Sequence, residues 1–152
     1  MYAKISLVTL LSLFCSGVHA AQTMVVNGEI KSFLSRDVKL LSHSWDVGAF
    51  PKDDLVIEPK GHIKFRFPAN AHNGQINFVL SAGSGGSQVA CLYDIKYGTQ
   101  TYVQGAVTLT GPRASSEASS VGKRRAACSM RLDDWDYEKS MNVRFLIQRL
   151  PT

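Results

Sequence analysis

Three histidines, His43, His62 and His72, are the residues of this sequence best suited to acid–base chemistry. No serine lies in a Gly-x-Ser-x-Gly turn that would present it as a nucleophile. The histidine spacings match no zinc-binding pattern. We therefore expect no catalytic centre and no cofactor. The alternative is a hydrolase of an envelope polymer, which would have to assemble its site from residues far apart in the chain.

Acidic side chains recur at alternate positions near the end of the sequence. On an extended segment, Asp134, Asp136 and Glu138 would project to one side, as hard oxygen ligands for Ca²⁺ do. The run lacks the glycine and the distant glutamate of an EF-hand loop. It is a weak calcium candidate, and its other interpretation is an exposed acidic turn.

Positive charge supplies the most extensive candidate surface. Alternation puts Lys64 and Arg66 on the outer side of one strand and Arg144 on the outer side of another. If those strands are neighbours, the three cations form a patch that attracts an acidic protein, lipid or glycan. Three consecutive cations would extend the patch: Lys123, Arg124 and Arg125. That run could instead be a solvated loop or a processing site. No phosphate-binding loop and no nucleic-acid-binding motif accompanies it, so nucleic acid is not an expected partner.

Four aromatic residues lie in or beside predicted turns: Trp45, Trp135, Tyr97 and Tyr102. An aromatic ring with a polar tip suits contact with a sugar ring or a membrane interface. Rings at turns also cap the ends of a β-sandwich core. These four residues are the candidates for a membrane or glycan contact.

The segments that position these side chains have a period of two, which is typical of strands. About eight short strands, joined by Gly, Pro, Asn and Ser turns, are predicted within the ranges 23–34, 37–45, 55–61, 62–67, 75–82, 89–98, 101–110, 126–132 and 141–150. No helical segment separates them, so the pattern predicts an all-β fold, an antiparallel β-sandwich or an open barrel. The last strand should lie inside its sheet, because Leu146 makes its second face partly apolar.

This layout is similar in architecture, over 24–150, to secreted membrane-binding proteins such as aegerolysins and actinoporins. The similarity includes no shared motif, and no functional residue follows from it.

The beginning of the chain has the form of a cleaved secretory leader over residues 1–20, with Lys4 followed by an apolar run and the ending Val18-His19-Ala20. The remaining 21–152 would form a single domain. Because an exported chain matures in an oxidising compartment, Cys91 and Cys128 are expected to form a disulfide. Closing that loop stabilises the fold by roughly 4 kcal/mol in the chain-entropy estimate.

Residues 111–125 have no hydrophobic period and are rich in Ser, Ala and Gly. We expect a flexible basic loop there, longer than most hairpin connections.

The net charge of +5 and the absence of a catalytic motif together favour an exported binding protein. Its expected partner is another protein, which could be acidic. A periplasmic inhibitor, a toxin-neutralising protein and a secreted effector all fit this description. The alternatives are a secreted membrane- or glycan-binding module of the cytolysin type and the envelope-polymer hydrolase.

Overall fold

The structure is a computed structural model that describes residues 23–43 and 55–150. Most of the described residues lie in nine strands, and one short 3-10 helix lies at Gly85–Ser87. The strands are β1 (Thr23–Ser32), β2 (Val38–His43), β3 (Val56–Ile57), β4 (His62–Asn70), β5 (Asn73–Ala82), β6 (Val89–Gln104), β7 (Val107–Ser120), β8 (Ala126–Asp136) and β9 (Ser140–Arg149). No helix among the described residues is long and apolar enough to cross a membrane.

The strands form two sheets packed face to face. One sheet has four strands in the order β4-β1-β9-β8, and the other has five in the order β3-β2-β5-β6-β7. All neighbouring pairs are antiparallel except β1 and β9, which run parallel. The predicted all-β sandwich is confirmed, and the two sheets do not close into a barrel.

The core lies between the sheets, and alternating residues of β1, β4, β5, β6 and β9 supply most of it. On β9, Val143, Phe145 and Ile147 are buried, and β9 lies between β1 and β8 as its apolar pattern predicted. The ring of Phe145 is central, with its centroid 4.7 Å from that of Phe78 and 5.3 Å from that of Tyr93. The Tyr93 hydroxyl crosses to the other sheet and donates a hydrogen bond to the Leu146 carbonyl at 2.6 Å.

The predicted disulfide between Cys91 and Cys128 is confirmed. It joins β6 of the five-stranded sheet to β8 of the four-stranded sheet, with 5.6 Å between the two Cα atoms. It therefore fastens the two layers near the edge where β7 and β8 lie. A disulfide is consistent with an oxidising environment.

The prediction of a loop over 111–125 is wrong for most of its length. β7 continues to Ser120 and pairs with β6 without a register shift as far as Cys91↔Ser120. The serine-rich sequence of 114–120 has low strand propensity, but pairing with a long central strand overrides that preference.

The boundaries of two other predicted elements also differ. Residues 89–98 and 101–104 belong to one strand, β6, and the reversal of the chain comes at Gly105-Ala106. The acidic segment 133–138, predicted as a turn, is strand as far as Asp136 because it pairs with β9. The predicted leader, 1–20, and Trp45 lie outside the described residues.

Candidate functional site

A two-stranded hairpin extends from one end of the sandwich. β5 pairs with β6 only as far as Gly98, which is opposite Asn73, so beyond that point β7 is the only described strand that pairs with β6. We call this hairpin, Thr99–Pro112, the arm. Its tip is the two-residue turn Gly105-Ala106, and Gly105 has a φ of +64°. A type II′ hairpin turn requires a positive φ at its first central position, which glycine adopts without strain.

The surface of the arm is uncharged and partly apolar. No Asp, Glu, Lys or Arg occurs between Lys96 and Arg113. Val103 is 72% exposed, Val107 56% and Leu109 36%. Such exposure is costly in an isolated protein, because a two-stranded hairpin has no second layer to cover either face.

The main-chain groups along both edges of the arm are also unpaired with any described strand. Residues that flank a two-residue turn form a hydrogen-bonded pair, here Gln104 and Val107. The main-chain N–H and C=O groups of alternate residues therefore point away from the partner strand of the hairpin. Val103 on β6 and Thr108 on β7 are two of these residues. The same alternation is visible at the base, where the Thr99 amide turns away from β7 and donates to the His72 carbonyl at 2.9 Å.

Side-chain contacts hold the arm at its base. The Arg113 guanidinium lies over the Tyr102 ring, 3.6 Å from its centroid, in a cation–π contact. The Thr99 hydroxyl lies 2.9 Å from the Tyr137 hydroxyl, which is 3.0 Å from His72 Nδ1. These contacts connect the base of the arm to the body of the sandwich. His72 takes part in them through its contact with the Tyr137 hydroxyl.

The structure does not bring the predicted cations together into one patch. Lys64 on β4 and Arg144 on β9 are not on neighbouring strands, because β1 lies between them and places Glu29 opposite both. Arg66 is opposite Asn27. The proposed patch is thus divided by a carboxylate and an amide, which the sequence pattern had no means of showing.

Asp133 further neutralises this sheet face. A bulge between Leu132 and Asp134 directs Asp133 toward Arg144, which donates a hydrogen bond to it, and toward Arg131 at 3.0 Å. The hydrogen bond from Arg144 and the positive charges of Arg144 and Arg131 lower the pKa of Asp133. The Arg144 pKa is raised by the same hydrogen bond and by the charge of Asp133.

The three consecutive cations lie on the short connection between β7 and β8. This connection is held against the start of β6, since Val121 N–H donates to the Ala90 carbonyl and Arg124 N–H to the Gln88 carbonyl, both at 2.9 Å. Gly122 permits the close approach, because a Cβ there would lie 2.4 Å from the Ala90 nitrogen. Lys123, Arg124 and Arg125 are exposed, and Arg124 borders a cavity that also contains two distant arginines, Arg36 and Arg149.

Three of the four candidate aromatic residues lie among the described residues; one of these is buried and a second is half-buried against the core. Tyr97 is 5% exposed, and burial raises its pKa. Trp135 packs against the core and against Tyr137, with its indole N–H buried and without a hydrogen-bond partner among the described residues. Tyr102 remains partly exposed on the arm. Alternation alone did not show that the inner-facing rings would be covered by the second sheet.

The acidic candidate site does not form. Asp136 pairs with Lys139 at 2.9 Å, and Glu138 lies beyond the end of β8 with a φ of +69°, near His72. Across 23–43 and 55–150, no three His, Cys, Asp or Glu side chains are arranged to hold a metal ion. The prediction that Asp134, Asp136 and Glu138 project together is wrong, because the strand ends before Glu138.

The hydrolase alternative depends on a histidine close to a nucleophile. Within the described residues, His72 contacts Tyr137 and lies 4.0 Å from Glu138, and no serine hydroxyl is among its hydrogen-bond partners. His43 and His62 are exposed on separate sheets.

Comparison with known proteins gives no match to this chain, either among protein families or among curated proteins. The functional assignment therefore rests on the geometry of the surfaces. The arm is the largest feature that the sequence analysis did not predict. The sequence feature that could have indicated the arm is the uncharged run between Lys96 and Arg113, which has a glycine at its centre and apolar residues on both sides.

Proposed function

We propose that this chain is an exported, non-catalytic protein that binds another protein through the arm. The observation that supports this most directly is the combination of exposed apolar side chains and unpaired strand edges on one projecting hairpin. A segment of a partner protein can satisfy both features, because it supplies apolar side chains and main-chain hydrogen bonds at the same time.

The open edges favour a protein over a lipid bilayer. Hydrocarbon cannot pair with unsatisfied N–H and C=O groups, so open strand edges are not tolerated in contact with lipid tails. The tip also lacks Trp and Phe, which typify amphipathic elements that lie in the membrane interface. A partner strand added to β7 or to the outer part of β6 would pair the main-chain groups and cover Val103 or Val107.

The sequence also supports export and a partner with negative charge. The predicted leader and the disulfide fit an oxidising compartment, periplasmic or extracellular. The net charge of +5 would steer an acidic partner toward this protein, whereas the uncharged arm would supply the contact itself. A periplasmic inhibitor, a toxin-neutralising protein and a secreted effector would all use a surface of this kind.

Site-specific photocrosslinking tests the proposal. A photoreactive amino acid at position 103 should give a crosslinked product with one protein in the native envelope or host extract. The same amino acid at Leu41, an apolar residue 62% exposed on β2, is the matched control and should give no such product.

A pair of triple variants then measures the contribution of the arm. Val103→Ser, Val107→Ser and Leu109→Ser together should abolish capture of the crosslinked partner. The control combines Leu41→Ser, Val56→Ser and Val121→Ser, which remove similarly exposed apolar side chains elsewhere, and should retain it. Equal capture by both variants would contradict the proposal. Arm-dependent binding to vesicles or to glycans, without a protein partner, would favour the membrane or glycan alternative.

A further inference from the structure

We infer that the cavity bordered by Arg36, Arg124 and Arg149 is a binding site for a tetrahedral oxyanion, the phosphate of a monoester or the sulfate of a sulfate ester. The cavity has a volume of about 130 Å³. It lies by Val89, the first residue of β6, whereas the arm is formed by the last residues of that strand. The site is therefore separate from the surface proposed to bind a protein.

Three separate parts of the fold supply the arginines. Arg36 lies in the turn between β1 and β2, Arg124 in the connection between β7 and β8, and Arg149 at the end of β9. Hydrogen bonds fix the backbone near each one. Phe33 N–H donates to the Ile147 carbonyl at 2.9 Å, and Arg124 N–H donates to the Gln88 carbonyl.

Pairing in the four-stranded sheet completes the arrangement. Arg149 is opposite Ala126, two residues after Arg124, so the chain positions that carry these two guanidinium groups are close in space. These constraints bring together three side chains that are far apart in sequence.

Among residues 23–43 and 55–150, no acidic group balances the charges of this cavity. No described carboxylate borders it, and none of the three arginines forms an ion pair with another residue of those ranges. A guanidinium presents a planar fork of N–H donors that matches the oxygens of phosphate or sulfate. Ser35 borders the same cavity, and its hydroxyl would add a neutral donor. The volume is sufficient, since one water needs only about 10–15 Å³.

A second basic cavity nearby shows why this one is favoured. It is bordered by Lys31, Arg131 and Arg144 but also by Glu29, and Asp133 binds both arginines. An anion there would have to displace a carboxylate and would face a second one. The cavity of Arg36, Arg124 and Arg149 requires no such displacement.

Titration with inorganic phosphate and with inorganic sulfate, followed by backbone amide NMR at low ionic strength, tests the inference. Saturable shifts are expected at Ser35 and Arg124, with acetate giving weaker binding. Arg124→Gln and Arg149→Gln should each weaken phosphate binding by about tenfold, since each removes a charge-assisted hydrogen bond. Arg149→Lys should recover part of the loss, because it keeps the charge but not the fork.

Lys123→Gln is the matched control, because it removes one positive charge beside Arg124 from a residue that does not border the cavity. It should change the affinity by less than about twofold, since screening by water and salt weakens a charge that is not in contact. Absence of saturable shifts with both anions would overturn the inference. So would an equal loss in Lys123→Gln and Arg124→Gln, which would indicate general attraction by positive charge.

Two further probes identify the source of the anion. Vesicles containing phosphatidic acid present a phosphate monoester, and a heparin-derived oligosaccharide presents sulfate esters. If the vesicles or the oligosaccharide bind, and Arg149→Gln loses this binding while Lys123→Gln keeps it, the probe that binds identifies the source of the anion. Response to inorganic phosphate alone assigns the free ion. The arm variant with three serines should bind phosphate like the unmodified protein, so failure of one proposal leaves the other intact.

Discussion

The two halves of β6 belong to one continuous strand but have different surroundings. From Val89 to Gly98 the strand lies between β5 and β7, and Tyr93 and Ile95 are completely buried. From Thr99 to Gln104 the only described strand beside it is β7, and Val103 is 72% exposed. The inner face of the first half meets the opposite sheet, whereas no described strand of that sheet covers the second half at Val103.

This comparison shows that alternation defines a strand without defining its partners. An apolar residue on a strand is buried only where a second layer covers it. The arm retains apolar residues where no layer covers them, and this is the physical basis for proposing that a partner does so.

The largest expected difference between the halves is in stability. Ile95→Ala removes a fully buried side chain and should lower the free energy of unfolding by about 2–5 kcal/mol. Val103→Ala should change it by no more than about 0.5 kcal/mol, because the side chain is exposed. Urea unfolding measures both. A loss of similar size in Val103→Ala would mean that the arm is packed against the body in solution.

Removal of the disulfide should speed local amide exchange only in the first half of β6. The variant Cys91→Ala with Cys128→Ala should lose about 2–4 kcal/mol of stability, because the unfolded chain is no longer constrained. Amide hydrogen exchange at Tyr93 should become faster, whereas exchange at Tyr102 should stay as it is, because the arm opens locally. Faster exchange at both amides would show that the arm unfolds together with the body.

A pair of tyrosine variants should give a smaller change in the free energy of unfolding. Tyr93→Phe removes the hydrogen bond to the Leu146 carbonyl and should cost about 1 kcal/mol at neutral pH. Tyr102→Phe on the arm is the control and should cost much less. Denaturant unfolding of the two variants side by side measures the difference, and equal losses would contradict the assignment of Tyr93 to the core.

The same pair has a pH dependence. Burial raises the pKa of Tyr93 above its ordinary value of 10.0, so above that pH the folded protein keeps a proton that the unfolded chain releases. Stability should therefore fall as the pH rises above about 10. Tyr93→Phe should make this fall less steep, and Tyr102→Phe serves again as the comparison. An unchanged slope in Tyr93→Phe would show that another group controls the alkaline loss.

The smallest expected effect on stability comes from the surface ion pairs of Asp133 on the face of the four-stranded sheet. Carboxyl NMR should give Asp133 a pKa below its ordinary 3.8, and Arg144→Gln should raise it. Because the folded pKa is the lower one, the contribution of Asp133 to stability is present above pH 3.8 and is lost as the pH falls through the folded value. A pKa unchanged by Arg144→Gln would contradict the hydrogen bond.

The sequence predicted the sandwich because burial on one side of a strand leaves a period of two wherever the inward residues are apolar. Val143, Phe145 and Ile147 followed that rule and lie in the core. The rule failed at 111–120, where serine and alanine conceal a strand. It also failed at Val103, Val107 and Leu109, which share a predicted strand but lie on both sides of a turn in an exposed hairpin.

The candidate surfaces were less predictable, because they depend on which strands are neighbours. Lys64, Arg66 and Arg144 were expected to form one patch, but the position of β1 places Glu29 between Lys64 and Arg144. Arg124 was expected to extend that patch, whereas the fold places it at a cavity that Arg36 and Arg149 also border.

Residue type and local spacing alone predicted the β-strands of this chain and the position of β9 inside a sheet. The pairing of Cys91 with Cys128 followed from an even number of cysteines after the predicted leader and from the expected oxidising compartment. That 99–112 forms an exposed arm, and that three distant arginines share a cavity, follows only from the folded structure. The physical reason is that exposure and charge clustering depend on what lies across a strand or at its end, and those neighbours come from remote parts of the chain.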